Sequence, residues 1–166
     1  MGLLRTFPKG GIHPYERKEA TRSKAIWNAV IPSECIVPLQ QHIGGPAEAV
    51  VGEGDTVREG MLIGKASGFV SSNIHSPIPG TVKEIREIYL PNGVKTRALV
   101  IALEGEFDRL GKNPEPRDYS SMSPKELLSA VQEAGIVGMG GATFPTHVKY
   151  TLPKGAKADV LILNGT

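Results

Sequence analysis

GDTVREGMLIGKA (residues 54–66) and IHSPIPGTVKEI (residues 74–85) set the character of this chain. In each, a glycine- or proline-rich turn leads into a short run of β-branched and aliphatic residues. MLIGKAS and GTVKEIREIYL read as strands, and GEGDTVREG and SPIPG read as turns between them. The same rhythm extends outward. IVPLQQ, AEAVV and RALVIAL are further strand candidates, separated by HIGGP and by PNG at 91–93, where Asn92-Gly93 is the expected hairpin turn pair. Short strands at this spacing over residues 36–104 predict a small β barrel or sandwich.

Composition agrees with a turn-rich fold. The 166 residues include 20 glycines and 13 prolines, with 40% apolar and 22% charged residues. A net charge of +2 gives no case for nucleic acid. No run of 18 apolar residues is long enough to span a membrane, and MGLLRTFPKGG lacks the apolar core of a signal peptide. The single cysteine, Cys35, sits among Ile31, Ile36 and Val37 and reads as a buried structural thiol. One cysteine supports neither a disulfide framework nor a zinc signature.

Residues 1–35 read as an extended, locally basic arm, with six Lys/Arg against three Glu. FPKGGIHPY is too rich in Gly and Pro for regular structure, KEATRSKAIWNAVIP could hold a short helical turn, and Ile26 and Trp27 are the expected anchors. Residues 105–122 are polar and read as a linker. The pattern then changes. In SPKE, Ser123 is an N-cap, Pro124 stands at N1 and Glu126 closes a capping box. Leu127, Leu128 and Val131 form an apolar stripe, and Gly135 stops the helix. A second short helix is expected from about Pro145 to before Pro153. ADVLILNGT reads as a strand buried on both faces, and a domain ending at that strand reads as the first part of a longer protein.

Between the helices lies GIVGMGGATFPTHVKY, residues 135–150. Free N–H groups in a glycine-rich turn make an anion nest, and a helix start behind it adds partial positive charge. Lys149, about one turn into that helix, could reach back to a phosphate, and Phe144 offers a flat face for a ring. This is neither a Walker loop nor a Rossmann fingerprint in its usual place. A nucleotide-like ligand and a tight structural turn both remain open on these residues.

Gly138, Gly140, Gly141, Ala142, Phe144, Pro145, Thr146 and Lys149 stand as GxGGAxFPTxxK, which resembles the flavin- and NADH-binding segment of the complex I 51 kDa subunit family. That resemblance implies an NAD(H)/FMN site. Its glycine loop covers the flavin, Lys149 meets the flavin side, Phe144 lies near the nicotinamide, and Asn164 in LILNGT touches the flavin. Met139 stands where that family commonly has a basic residue, and Thr143 and His147 replace usual glycines. Residues 54–66 and 74–85 resemble a biotinyl/lipoyl-type domain, a barrel-sandwich hybrid. Phe69, flanked by Gly68 and Val70, occupies the place of the carrier lysine, and Lys65 comes too early. The implied role is structural or docking rather than a swinging arm.

FPKGGIHPYERKEAT, PLQQHIGGPAEAVVGEGDTVREG, NIHSPIPGTVKEI and GGATFPTHVK, in this order, resemble the RnfC family, the C subunit of the Rnf complex, over nearly the whole chain. The implied architecture is a β-rich barrel-sandwich hybrid at 36–104, followed from 123 to 166 by the start of an α/β nucleotide-binding domain. The implied function is that of a peripheral subunit on the cytoplasmic face of the inner membrane. It would pass electrons between ferredoxin and NAD(H), coupled to Na⁺ or H⁺ translocation, and touch the membrane only through other Rnf subunits, notably the ferredoxin-facing iron–sulfur subunit. Two [4Fe–4S] clusters would lie beyond Thr166, and the present segment alone would be inactive. A non-catalytic docking module, or a soluble relative such as the proline-reductase-associated electron-transfer protein, is the alternative. His13, His42 and His75 show no metal-ligand spacing, and His147 reads either as scaffold or as a ligand contact.

Overall fold

A computed structural model describes residue 11, residues 15–108 and residues 118–162. The chain divides into two units, Met1–Ile31 and Pro32–Thr166. The first shows one 3-10 turn, Lys18–Ala20, entered through Arg17 in a left-handed conformation. Ile26 and Trp27, the two expected anchors, are both exposed.

Among its described residues the second unit carries seven strands: β1 Glu34–Pro38, β2 Glu48–Ala49, β3 Thr56–Val57, β4 Leu62–Lys65, β5 Ile74–His75, β6 Gly80–Tyr89 and β7 Lys95–Leu103. They form a four-stranded sheet in the order β1-β7-β6-β3 and a three-stranded sheet in the order β2-β4-β5, with every pairing antiparallel. The inner faces meet in a core of Val37, Leu39, Val57, Ile63, Ile74, Val82, Leu99, Ile101 and neighbours. This is the barrel-sandwich hybrid that the resemblance to biotinyl/lipoyl-type domains implied. β3 and β5 are two-residue ladders, β3 inside GEGDTVREG, which read as a turn, and β5 just ahead of SPIPG.

Two local features shape the larger sheet. The register of β6 against β7 shifts between Val82 and Glu84. The bulge changes the phase of the strand, so Val82 and Ile85, three apart, both face the core. Gly80 opens β6 because a Cβ there would collide with the carbonyl of Ala102 on β7. The β6–β7 hairpin differs from the expected turn pair. Gly93 N–H donates to Leu90 O, Leu90 N–H donates to Val94 O, and only Gly93 has positive φ. Pro91 and Asn92 are therefore the central pair and Gly93 supplies the left-handed residue, a three-residue loop in place of a two-residue one.

Beyond the β domain, α1 spans Pro124–Glu133 and α2 spans Thr146–Tyr150. Ser123 and Glu126 form the full capping box, and Gly135 follows the helix at φ 70. Within ADVLILNGT, residues 158–162 form no strand, and Val160, Leu161 and Ile162 are 77%, 68% and 86% exposed. An apolar run becomes a buried strand only when neighbours pair its edges and cover its faces. No described element does so here. Of the linker, residues 109–117 lie outside the described residues, as do His13 and Asn164.

Candidate nucleotide site

The loop between the helices closes on itself. Val137 bridges Pro145 in antiparallel fashion, Gly138 N–H donates to Phe144 O (2.9 Å), and Thr146 N–H donates to Ile136 O (3.1 Å). A turn from Gly140 to Thr143 caps it (3.0 Å). The N–H groups of residues 139–142 make no hydrogen bond among the described residues. Gly140 and Gly141 face open space, and Met139 and Ala142 are exposed at the loop surface. Lys149 folds back so that its Nζ occupies the space a Gly138 side chain would fill. No carboxylate pairs with this ammonium among the described residues. The result is a row of free donors beside an uncompensated cation, suited to a phosphate or a polarised carbonyl oxygen.

Two details bear on how the loop is built. α2 is only five residues long, so its macrodipole adds little and the positive field comes from Lys149. Gly140 does not sit at positive φ; the left-handed residue in the loop is Thr143, at φ 42. A β-branched residue in that region is strained. Phe144 is half-buried, with its carbonyl closing the loop base, and Thr146 is half-buried at the start of α2.

The tip loop between β4 and β5, residues 66–73, seats this segment. His147 is 3% exposed, and its Nε2 lies 2.8 Å from Phe69 O. A carbonyl can only accept, so Nε2 carries the proton. His147 Nδ1 is buried with no partner among the described residues. Its ring packs edge-on against Phe69 at 5.8 Å. Asn73 Nδ2 donates to Glu133 O at the end of α1, and Gly135 packs against Asn73 O with no room for a Cβ. His147 thus belongs to the packing that seats α2 on the tip loop.

The tip is itself held from within. Ser71 Oγ donates to Gly45 O (2.9 Å), and Ser72 N–H donates to His42 Nε2 (3.1 Å). That fixes the His42 proton on Nδ1, which donates to Ile43 O. Where carriers of related fold hold a mobile lysine, this domain holds Phe69 on a loop locked by buried serines. Phe69, Ser71, Ser72 and Asn73 were not singled out by sequence as contacts of the glycine loop. The missing carrier lysine was the one available signal that the tip serves another purpose.

Burial raises the Cys35 thiol and lowers the His75 imidazole, leaving both in their neutral forms near neutrality. Among the described residues no group of three His, Cys, Asp or Glu side chains could hold a metal. No described helix is long and apolar enough to cross a membrane.

Fold and loop together define a class: a barrel-sandwich hybrid without a carrier lysine, whose tip seats a glycine-loop segment. Comparison with known proteins agrees for each part. Residues 6–106 match the family described as the RnfC barrel sandwich hybrid domain, and residues 131–166 match the Nuo51 FMN-binding domain. The chain belongs to the RnfC family. It is 44% identical over 163 residues to the C subunit of the proton-translocating ferredoxin:NAD(+) oxidoreductase complex of Clostridium ljungdahlii, covering 98% of this chain and 35% of that protein. It is 39% identical over 158 residues to the C subunit of the Na(+)-translocating ferredoxin:NAD(+) oxidoreductase complex of Acetobacterium woodii, covering 95% and 35%. The C subunit of the ion-translocating oxidoreductase complex of Vibrio cholerae is 36% identical over 166 residues, covering 98% and 21%. The chain therefore spans about a third or less of the length of these relatives.

Proposed function

We propose that this chain is the N-terminal part of the C subunit of an ion-translocating ferredoxin:NAD(+) oxidoreductase, and that residues 123–166 open its NAD(H)/FMN domain. The observation that carries this reading is the loop of unbonded N–H groups at residues 139–142 with the Lys149 ammonium folded beside it. Its donors suit a flavin phosphate or ring oxygen, and its bare Gly140 and Gly141 leave room for close approach. FMN, when bound, supplies the hydride and electron chemistry. The chain's own part is to bind and orient. Residues 138–142 with Thr146 hold the polar end, Lys149 neutralises its charge, and Phe144 lies at the loop's exit. Asn164 is proposed to meet the flavin from the following segment. The Phe69–His147 contact keeps α2, and so Lys149, at a fixed distance from the β domain. In this reading the β domain is scaffold and docking surface. The protein sits on the cytoplasmic face of the membrane through partner subunits, including the ferredoxin-facing iron–sulfur protein. Two [4Fe–4S] clusters belong to the portion after Thr166.

The experiment is direct. Full-length protein reconstituted with FMN is mixed with NADH under anaerobic conditions, and the flavin's visible absorbance is followed. Bleaching on mixing is expected. Absence of both FMN binding and NADH binding would overturn the reading.

A further inference from the structure

The arm ahead of the β domain holds a run that the nucleotide site leaves unused, TRSKAIWNAVIP at residues 21–32. Within it Ile26, Trp27, Val30 and Ile31 are all exposed, Trp27 by 79% and Val30 by 87%. Residues 25–32 take no regular secondary structure. Four apolar side chains this close together form a surface that gains from being covered.

Charge is divided between the arm and the rest of the chain. Residues 1–31 hold six Lys/Arg against two Glu, net +4, whereas residues 32–166 hold thirteen Lys/Arg against fifteen Asp/Glu, net −2. The chain's positive excess therefore lies in the arm. Two of its cations are engaged locally: Lys18 pairs with Glu16 at 3.1 Å, and the Arg17 guanidinium lies 6.0 Å from the centre of the Tyr15 ring. Arg22 and Lys24, beside the apolar run, form no ion pair among the described residues.

The order of residues decides what such a run fits. In an extended chain Ile26 and Trp27 point to opposite sides, as do Val30 and Ile31, so no single groove takes all four. A helix turns by about 100° per residue and gathers them within an arc of about 140°. Arg22 and Lys24 then flank that arc on either side, and Ala25, Asn28 and Ala29 fall on the opposite face. Pro32 ends any such helix. A helix this short does not hold in water by itself, in keeping with the irregular backbone of residues 25–32. It needs a surface that covers its apolar side. An apolar face flanked by long-stemmed cations is the pattern of a helix lying in the plane of a bilayer. The Trp27 indole suits the headgroup level, and the cations suit anionic lipid.

We propose that residues 21–31 are an interfacial anchor that folds on an anionic lipid surface, with Ile26, Trp27, Val30 and Ile31 at the acyl boundary and Arg22 and Lys24 among the headgroups. This adds a direct lipid contact to the attachment through partner subunits. It rests on the reading that the protein works at a membrane, and not on the nucleotide reading of the glycine loop.

Purified full-length protein, free of other subunits, is floated with vesicles of phosphatidylcholine alone or of phosphatidylcholine and phosphatidylglycerol in equal parts. The variants are Arg22→Gln/Lys24→Gln and Ile26→Ser/Trp27→Ser, each with a thermal melt. All four side chains are exposed, so the melts should match the parent. The parent should bind the mixed vesicles and bind the neutral ones more weakly. Each double variant should lose about tenfold or more in affinity for the mixed vesicles. NADH and FMN titrations on the same samples should be unaffected by either variant, so the loop reading stands or falls separately. Absence of binding to the mixed vesicles would overturn the anchor. So would equal binding to both kinds of vesicle, or unaltered vesicle binding in either double variant. Variants that keep vesicle binding but fail to assemble with the other subunits would assign the arm to a protein partner and overturn it as well.

Discussion

Gly140 separates a binding role from a folding role within one residue. It lacks positive φ, and nothing lies within 4 Å of the position its Cβ would take. Gly140→Val is therefore expected to leave the melting temperature unchanged and to weaken nucleotide binding, because the branched side chain fills the space the ligand needs. A lowered melting temperature with unchanged affinity would mark the loop as a structural turn. Gly80 behaves oppositely: its missing Cβ lets β6 approach Ala102. Single residues of both kinds were visible in the sequence as glycines. Which of them needed bare backbone, and for what, was not. That depends on atoms brought from distant positions, such as the Lys149 Nζ beside Gly138.

At the scale of elements, what was legible was local. The α1 start was readable from four residues because every bond in a capping box lies within them. Ser123 N–H donates to Glu126 Oε2 (2.7 Å), and Glu126 N–H donates back to Ser123 Oγ (3.4 Å). Ser123→Ala should cost about 1 kcal/mol of stability, read by denaturant unfolding. The Ser123 hydroxyl, and then its backbone N–H, hold the Glu126 carboxyl below its ordinary value of 4.5. A lowered folded-state value gives a contribution that is complete above pH 4.5 and is lost as pH falls through the lowered value. Acidification through that window should destabilise the parent chain more than Ser123→Ala; equal losses would contradict the assignment.

What escaped the sequence at this scale was long-range. His147 meets Phe69 across 78 positions, a pairing no periodicity encodes. His147→Ala should cost about 1–3 kcal/mol by removing a buried side chain together with its hydrogen bond to the Phe69 carbonyl. It should also raise amide exchange in α2, and unchanged exchange there would contradict the seat. Residues 158–162, the described part of ADVLILNGT, form no strand for a related reason: apolarity signals a strand, but partners decide whether one forms.

Across the whole molecule, the two readings that mattered most came from what surrounds a motif. Strand-and-turn rhythm indicated a small β barrel or sandwich, the resemblance to biotinyl/lipoyl-type domains made it a barrel-sandwich hybrid, and Phe69 in the place of the carrier lysine argued against a carrier role. The structure shows the use of that tip, which is to seat the glycine loop. The bulge in β6 and the three-residue β6–β7 hairpin were beyond period-two reading, because each adds a residue that breaks the alternation. We propose that the Lys149 ammonium and the free N–H row bind a phosphate-bearing redox nucleotide. The most direct measurement is a calorimetric titration of NADH, and separately of FMN, into the full-length protein and its Lys149→Ala variant, with folding checked by a melt. A charge-assisted contact of about 1.5–3 kcal/mol predicts a loss of affinity of about tenfold to a hundredfold with an unchanged melting temperature. Equal affinities for both ligands in parent and variant would contradict the account.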